Sequence, residues 1–309
     1  MDRFFRAVGK IGGAERTDVI EKDYHLHSLL LEISKDPYLK GNLAFKGGTC
    51  LVKAYSGYYR FSEDIDFTWA DQVRWSSVTA NQRNGLCADE AENVIHHLKD
   101  ITDRVGLSFS GKKGGPDVHI SSRGKMLTIY PSYISALSRI KANVKIEVNF
   151  FDINAFPYQD KVLGTYMSGS DFQELETFHE EQYRTYSAPV EMTCYDCREI
   201  FIEKCRAMMT RKVYKPRDSL DLYHLGQTRG LKVPLYKDEI IRKVRFALGT
   251  YERYWENIID NDISKIDYDR RDDNLLLVDM PIDIDAAIGE IHRELENIRA
   301  DIVSMIGRD

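Results

Sequence analysis

From Thr17 to Ser34 the apolar positions Val19, Ile20, Leu26, Leu29, Leu30 and Ile33 recur near helical intervals behind a capping hydroxyl, which predicts an amphipathic helix. After Asp36-Pro37 the short run Leu43-Ala-Phe45 reads as a strand. Lys46-Gly47-Gly48-Thr49 reads as a turn, and Leu51, Val52 and Tyr55 as one face of a following helix. In Arg60-Phe-Ser-Glu-Asp-Ile-Asp-Phe-Thr-Trp69, Ile65, Phe67 and Trp69 alternate with Asp64, Asp66 and Thr68. Period two predicts a strand with one apolar and one polar face. A helix is expected over about 89–105, a hairpin over 118–121 and 126–130 turning near Arg123-Gly124, and another alternating strand over 144–150.

Beyond Tyr195 the period changes. Ile200, Phe201, Cys205, Met208 and Met209 make a helical stripe, and long helical patterns recur over about 235–259 and 284–305. Ser187-Ala-Pro189 interrupts the pattern. The division expected is therefore an α+β domain over residues 1–188, built on a mixed sheet, and a helical C-terminal domain over 189–309. A chain of 309 residues agrees with roughly two domains of ~100–200 residues each.

Composition narrows the function classes. Apolar residues at 43% and charged residues at 30% are those of an ordinary globular chain, which argues against disorder and fibres. A net charge of −6 leaves no global electrostatic grip on nucleic acid, so any such contact needs a local basic patch. No segment approaches the ~18 apolar residues that a bilayer requires, and the first ten residues carry charges, so a cytoplasmic protein is expected with no membrane partner. The five scattered cysteines do not form a disulfide framework. Cys194-Tyr-Asp-Cys197 has the spacing of half a zinc site, but no second pair completes it, and structural thiols are the better reading.

Side chains two apart on a strand point to the same side, so Asp64 and Asp66 project from one polar face and can share divalent cations. Hard cations such as Mg²⁺ or Mn²⁺ take oxygen ligands, and phosphoryl chemistry on two aspartates calls for a third carboxylate. Glu147, alternating with Ile146 and Val148, is the best candidate, with Asn149 and Asp152 as weaker ones. An isolated Asp-x-Asp strand is more often a solvated edge. Here Gly47, Gly48 and Thr49 precede it at a strand-to-helix turn, where glycine permits close backbone approach and a helix start offers N–H groups to phosphate. Lys46 and Arg60 flank the turn and the strand as cations able to neutralise phosphate charge.

Phe45-Lys-Gly-Gly-Thr-Cys-Leu-Val-Lys-Ala-Tyr, followed by Arg60-Phe-Ser-Glu-Asp-Ile-Asp-Phe-Thr, closely resembles the AbiEii/AbiGii toxin family of nucleotidyltransferases. The likeness extends to Ile202-Glu-Lys-Cys-Arg-Ala-Met-Met-Thr-Arg211 and Lys215-Pro-Arg-Asp-Ser-Leu-Asp-Leu-Tyr223. It implies a polymerase-beta-like nucleotidyltransferase core and a helical C-terminal domain. It also implies a nucleoside triphosphate lined by Gly47, Gly48 and Thr49, metal on Asp64 and Asp66, and Lys204 and Asp218 near the nucleotide. The acceptor it implies is an RNA, the 3′ end of tRNA, and the partner a cognate antitoxin. Fifteen residues lie between Gly48 and Asp64, more than in the minimal superfamily pattern.

Without the resemblance, Lys204 reads as a solvent-facing lysine paired with Glu203, and Asp218 as a helix cap. Arg211-Lys-Val-Tyr-Lys-Pro-Arg217, the densest basic run, reads as a solvated loop or as a guide for an RNA backbone. Acceptors other than RNA, namely a small molecule or a protein hydroxyl, stay open, as does a catalytically silent binding module.

Overall fold

Nine strands run through the described residues of the computed structural model, which are 1–168, 172–279 and 281–306. In chain order they are β1 (Leu43–Lys46), β2 (Asp64–Trp69), β3 (Val118–Ser121), β4 (Met126–Ile129), β5 (Ser132–Ile134), β6 (Lys141–Asn143), β7 (Lys145–Asn149), β8 (Gln159–Leu163) and β9 (Val190–Cys194). Seven form a sheet in the order β3-β4-β7-β2-β1-β9-β8, while β5 and β6 pair as a separate ribbon. The sheet is mixed: β2 runs parallel to β7 and β1 to β9, and the remaining pairs are antiparallel. This is the α+β architecture expected from the alternating segments.

Alternation decides which face each side chain takes. Ile65 and Phe67 of β2, Leu127 and Ile129 of β4, and Ile146 and Val148 of β7 are all buried. Each such side chain contributes roughly 1.5–3 kcal/mol by leaving water. A slip of one residue would expose all of them, so the register is fixed, and with it the residues facing the other way. That opposite face carries Asp64, Asp66, Thr128, Lys145 and Glu147.

The chain divides into two units: Met1–Phe151 with Tyr158–Tyr195, and Asp152–Pro157 with Asp196–Asp309. The division at Tyr195/Asp196 falls beyond the Ser187-Ala-Pro189 break, because Val190–Cys194 is a sheet strand in register beside β1, Cys194 opposite Phe45. Its alternation of Val190, Met192 and Cys194 with Glu191 and Thr193 is the signal that marks it. The helix expected over 89–105 begins earlier, at Ala80, where Thr79 and Gln82 form a capping box. Its polar first turns, Ala80-Asn-Gln-Arg-Asn-Gly85, conceal it from a hydrophobic count.

In the first unit the long connection between Gly48 and Asp64 is anchored by a buried polar cluster. Lys53 Nζ lies 2.8 Å from Asp23 Oδ1 and donates to the Tyr58 hydroxyl at 2.6 Å. The hydroxyls of Tyr58 and Tyr186 donate to Asp23 Oδ2 at 2.7 and 2.5 Å. Helix Thr17–Lys35, the helical stretch after the glycine turn, and the loop at Tyr58 are thereby tied at one carboxylate.

The second unit is helical, with helices Cys197–Thr210, Pro216–Arg229, Lys237–Thr250, Arg253–Asp260 and Ile284–Ile306. Buried Lys243 binds the inserted segment to them: its ammonium lies 3.1 Å from Asp152, 2.8 Å from Glu199 and 2.9 Å from Glu203. Glu199 in turn accepts from the backbone N–H groups of Ala155 and Phe156 at 2.7 and 3.0 Å. No helix among the described residues is long and apolar enough to cross a membrane.

Candidate active site

One row of residues crosses the polar face of the sheet. Lys46 of β1 lies opposite Asp66 of β2, Asp66 opposite Glu147 of β7, and Glu147 opposite Thr128 of β4. One step along, Asp64 lies opposite Lys145. Register partners share a face, as do residues two apart, so three carboxylates and two ammonium groups stand in one block. Thr128 Oγ1 donates to Glu147 Oε1 at 3.2 Å, and Lys145 Nζ lies 2.6 Å from Glu147 Oε2.

The charges are out of balance. Burial, then the neighbouring Glu147 and Asp64 carboxylates, push the Asp66 carboxyl up to about 6, against the pull of Lys46 and Lys145. Burial works against the Lys145 charge, but Glu147 foremost, with Asp64 and Asp66, outweighs it and holds that ammonium above the ordinary lysine value.

The glycine turn closes on this block. Gly47 has φ +79, the left-handed region, and a Cβ there would collide with the Asp66 carboxylate. A Cβ on Gly48 would come within 2.8 Å of Arg60 Nη2. Gly47→Ala is expected to cost about 1–2 kcal/mol of stability through the left-handed backbone alone. By pushing Asp66 aside it should also lower nucleotide transfer about a hundredfold. Thermal melting and transfer rate measured on the same sample check both halves.

Arg60 is buried, donates from Nη1 to the Phe61 carbonyl at 2.8 Å, and lies 5.7 Å from the centre of the Tyr59 ring. Lys46 Nζ sits 5.4 Å from the centre of the Tyr195 ring. Thr49 differs from the expectation that its hydroxyl serves a phosphate. It is buried, and the hydroxyl contacts Ser62 Oγ at 2.9 Å and donates to the Asp64 carbonyl. It fixes the start of the strand that carries the aspartates.

Lys204 and Asp218 belong to the second unit. Lys204 is not the solvent-facing side chain that surface statistics suggest: it is buried, 3.0 Å from Asp218 and 2.5 Å from Asp221. Nor is Asp218 a cap. Helix Pro216–Arg229 has Lys215 at its N-cap, and Asp218 lies inside the first turn, where Arg211 also pairs with it. Burial alone would raise the Asp218 carboxyl, but Lys204, then Arg211, hold it well below the usual carboxylate range. The basic run starting at Arg211 is thus partly engaged within the unit. Asp152 likewise belongs to the Lys243 cluster, and Asn149 accepts from the Phe151 N–H at 3.2 Å.

All five cysteines are unpaired, and all but Cys197 are buried, Cys194 closing β9 and Cys197 opening the next helix. A cavity of about 340 Å³ in the first unit, lined by Leu163, Met167 and Phe172 among others, contains none of the residues above.

Among the described residues no three His, Cys, Asp or Glu side chains are grouped closely enough to hold a metal ion as they stand. The donor chemistry nevertheless fits a hard divalent cation. Asp64, Asp66 and Glu147 offer only oxygens from neighbouring strands, three carboxylates beside the two ammonium groups of Lys46 and Lys145. The structure adds Lys145, Ser62 and Asp221 to the polar residues of these clusters. The period-two rule that selected Glu147 puts Lys145 on the same face.

A mixed sheet carries the acidic block beneath a glycine turn, and the family the chain matches is one of nucleotidyltransferases. The chain belongs to the AbiEii family, described as "Nucleotidyl transferase AbiEii toxin, Type IV TA system", which matches residues 29–303. That description places the family among the toxins of type IV toxin–antitoxin systems. Solved structures similar to it include JHP933 from Helicobacter pylori, at 14% identity and TM-score 0.41 with 94% of each chain covered. A second H. pylori structure has 15% identity and TM-score 0.36, covering 92% of this chain and 93% of that one. No curated protein matches.

Proposed function

We propose that the protein takes a nucleoside triphosphate with Mg²⁺ or Mn²⁺ and transfers the nucleoside monophosphate to the 3′ end of a tRNA, with a cognate antitoxin restraining it. The observation that carries this reading is the placement of Asp64, Asp66 and Glu147 on one face of adjoining strands, with Asp66 packed against Gly47. Those three carboxylates would hold the cation. When bound, it makes the acceptor hydroxyl a better nucleophile and offsets charge on the departing pyrophosphate.

The chain's own groups do the rest. With no side chain at Gly47 or Gly48, the backbone can approach a triphosphate, and the first N–H groups of the helix lack helical partners. Lys46 and Arg60 bring positive charge to either side of that turn. The acceptor oxygen bonds to the α-phosphorus as the bond to the bridging oxygen breaks, and pyrophosphate leaves.

Transfer from each of four α-labelled triphosphates to total RNA, wild type beside Asp64→Asn, tests this. Label on tRNA with wild type alone is expected. Label that appears in protein or on a small molecule, with RNA blank, overturns the acceptor. Equal label from both proteins overturns the site.

A further inference from the structure

Lys145 faces Asp64 across the β2/β7 register and precedes Glu147 by two residues, so its side chain stands among the three carboxylates. Its ammonium is 2.6 Å from Glu147 Oε2, and both side chains are half-buried. Lys46 lies on the far side of Asp66, in register with it on β1. Glu147 is therefore held by a tethered positive charge that stands opposite Asp64 in the sheet. Among the described residues the carboxylates are not grouped as three ligands of a metal ion would be.

A Glu147 carboxylate held by an ammonium at this distance binds a divalent cation less tightly, because the two positive charges repel across one donor group. We infer that Lys145 is a built-in counter-ion that competes with the metal. It holds Asp64 and Glu147 together before a cation arrives, and it leaves Glu147 when the cation enters. This rests on reading Asp64, Asp66 and Glu147 as the metal ligands.

The side chain suits that exchange. A lysine head is a compact, strongly hydrated charge on a flexible stem, and half-burial leaves it a path into water. Once released it stays on the same face, where the phosphates of a bound nucleotide offer it a new anionic partner. Metal entering alone forfeits the Lys145–Glu147 pair, whereas metal entering with a triphosphate lets Lys145 pair again. Lys145 thereby couples the two ligands and disfavours an idle, metal-loaded enzyme.

Mn²⁺ binding to the folded protein without nucleotide, read from the electron paramagnetic resonance of the free ion, tests the competition. Lys145→Met and Lys145→Gln are expected to bind Mn²⁺ about tenfold more tightly than wild type, since a neighbouring positive charge is gone. Lys145→Arg should stay close to wild type. In excess chelator the two neutral variants should melt below wild type, because the carboxylates then repel without their counter-ion.

Unchanged or weaker Mn²⁺ affinity in either neutral variant, with wild type binding normally, overturns the role of Lys145 alone. If wild type binds Mn²⁺ no better than Asp66→Asn does, the metal site itself falls and this inference falls with it.

Discussion

Asp66→Asn is expected to lower nucleotide transfer by about three orders of magnitude or more, the scale on which loss of a central electrostatic group acts, while raising thermal stability at neutral pH. The two effects share one cause. Burial and the facing Glu147 and Asp64 carboxylates push the folded-state Asp66 carboxyl up to about 6, from an unfolded value near 3.9. For an acid raised on folding, the stabilising contribution is fully present below the unfolded value and is lost as pH rises through the folded one. Above pH 6 the ionised carboxylate therefore costs the metal-free fold on the order of 2 kcal/mol, after allowing for partial exposure to water. Asparagine removes that cost. In excess chelator at pH 7.5 the variant should melt roughly 5 °C above wild type, and at pH 4 the gap should close. A variant that melts at or below wild type at pH 7.5, with its fold intact, would show that Asp66 is not held against its like-charged neighbours.

The acidic block could be read from the sequence because it follows from short-range rules. Alternation in Asp64–Trp69 and Lys145–Asn149 fixes which side chains share a face, and the hydrophobic partners fix the register between strands. Gly47 could be read as a turn glycine that lets the backbone be approached closely; its positive φ and the Asp66 carboxylate that fills the space of a Cβ come from the structure.

What escaped depends on contacts distant in sequence. Asp23, Lys53, Tyr58 and Tyr186 each look like surface residues of their own segments, and become a cluster only when four segments meet. Strand β8, at the sheet edge with Leu163 as its one buried side chain, lacks a hydrophobic period strong enough to show itself. Lys204 likewise takes its buried place from contacts distant in sequence. A charged residue on a helix is usually in water, and nothing within one turn of Lys204 announces Asp218 and Asp221.

That burial makes Lys204→Met the most damaging change expected in the second unit. Lys204 neutralises Asp218 at 3.0 Å and Asp221 at 2.5 Å, and the Asp221 side chain has no solvent exposure. Removing one member of a buried pair strands the other charge, at about 3–5 kcal/mol. Asp218 keeps Arg211, which limits its share of the loss. The double variant Lys204→Met with Asp221→Asn should recover a large part of it. Acid sensitivity should change as well. Asp218 is depressed on folding, so its contribution is present above the ordinary carboxylate range and lost as pH falls toward its lower folded value. Without Lys204 that contribution shrinks, and the stability difference between wild type and Lys204→Met should narrow from pH 7 to pH 3. Denaturant unfolding at both pH values measures this. A Lys204→Met protein as stable as wild type but unable to transfer nucleotide would assign Lys204 to the substrate instead of to the fold of its own unit.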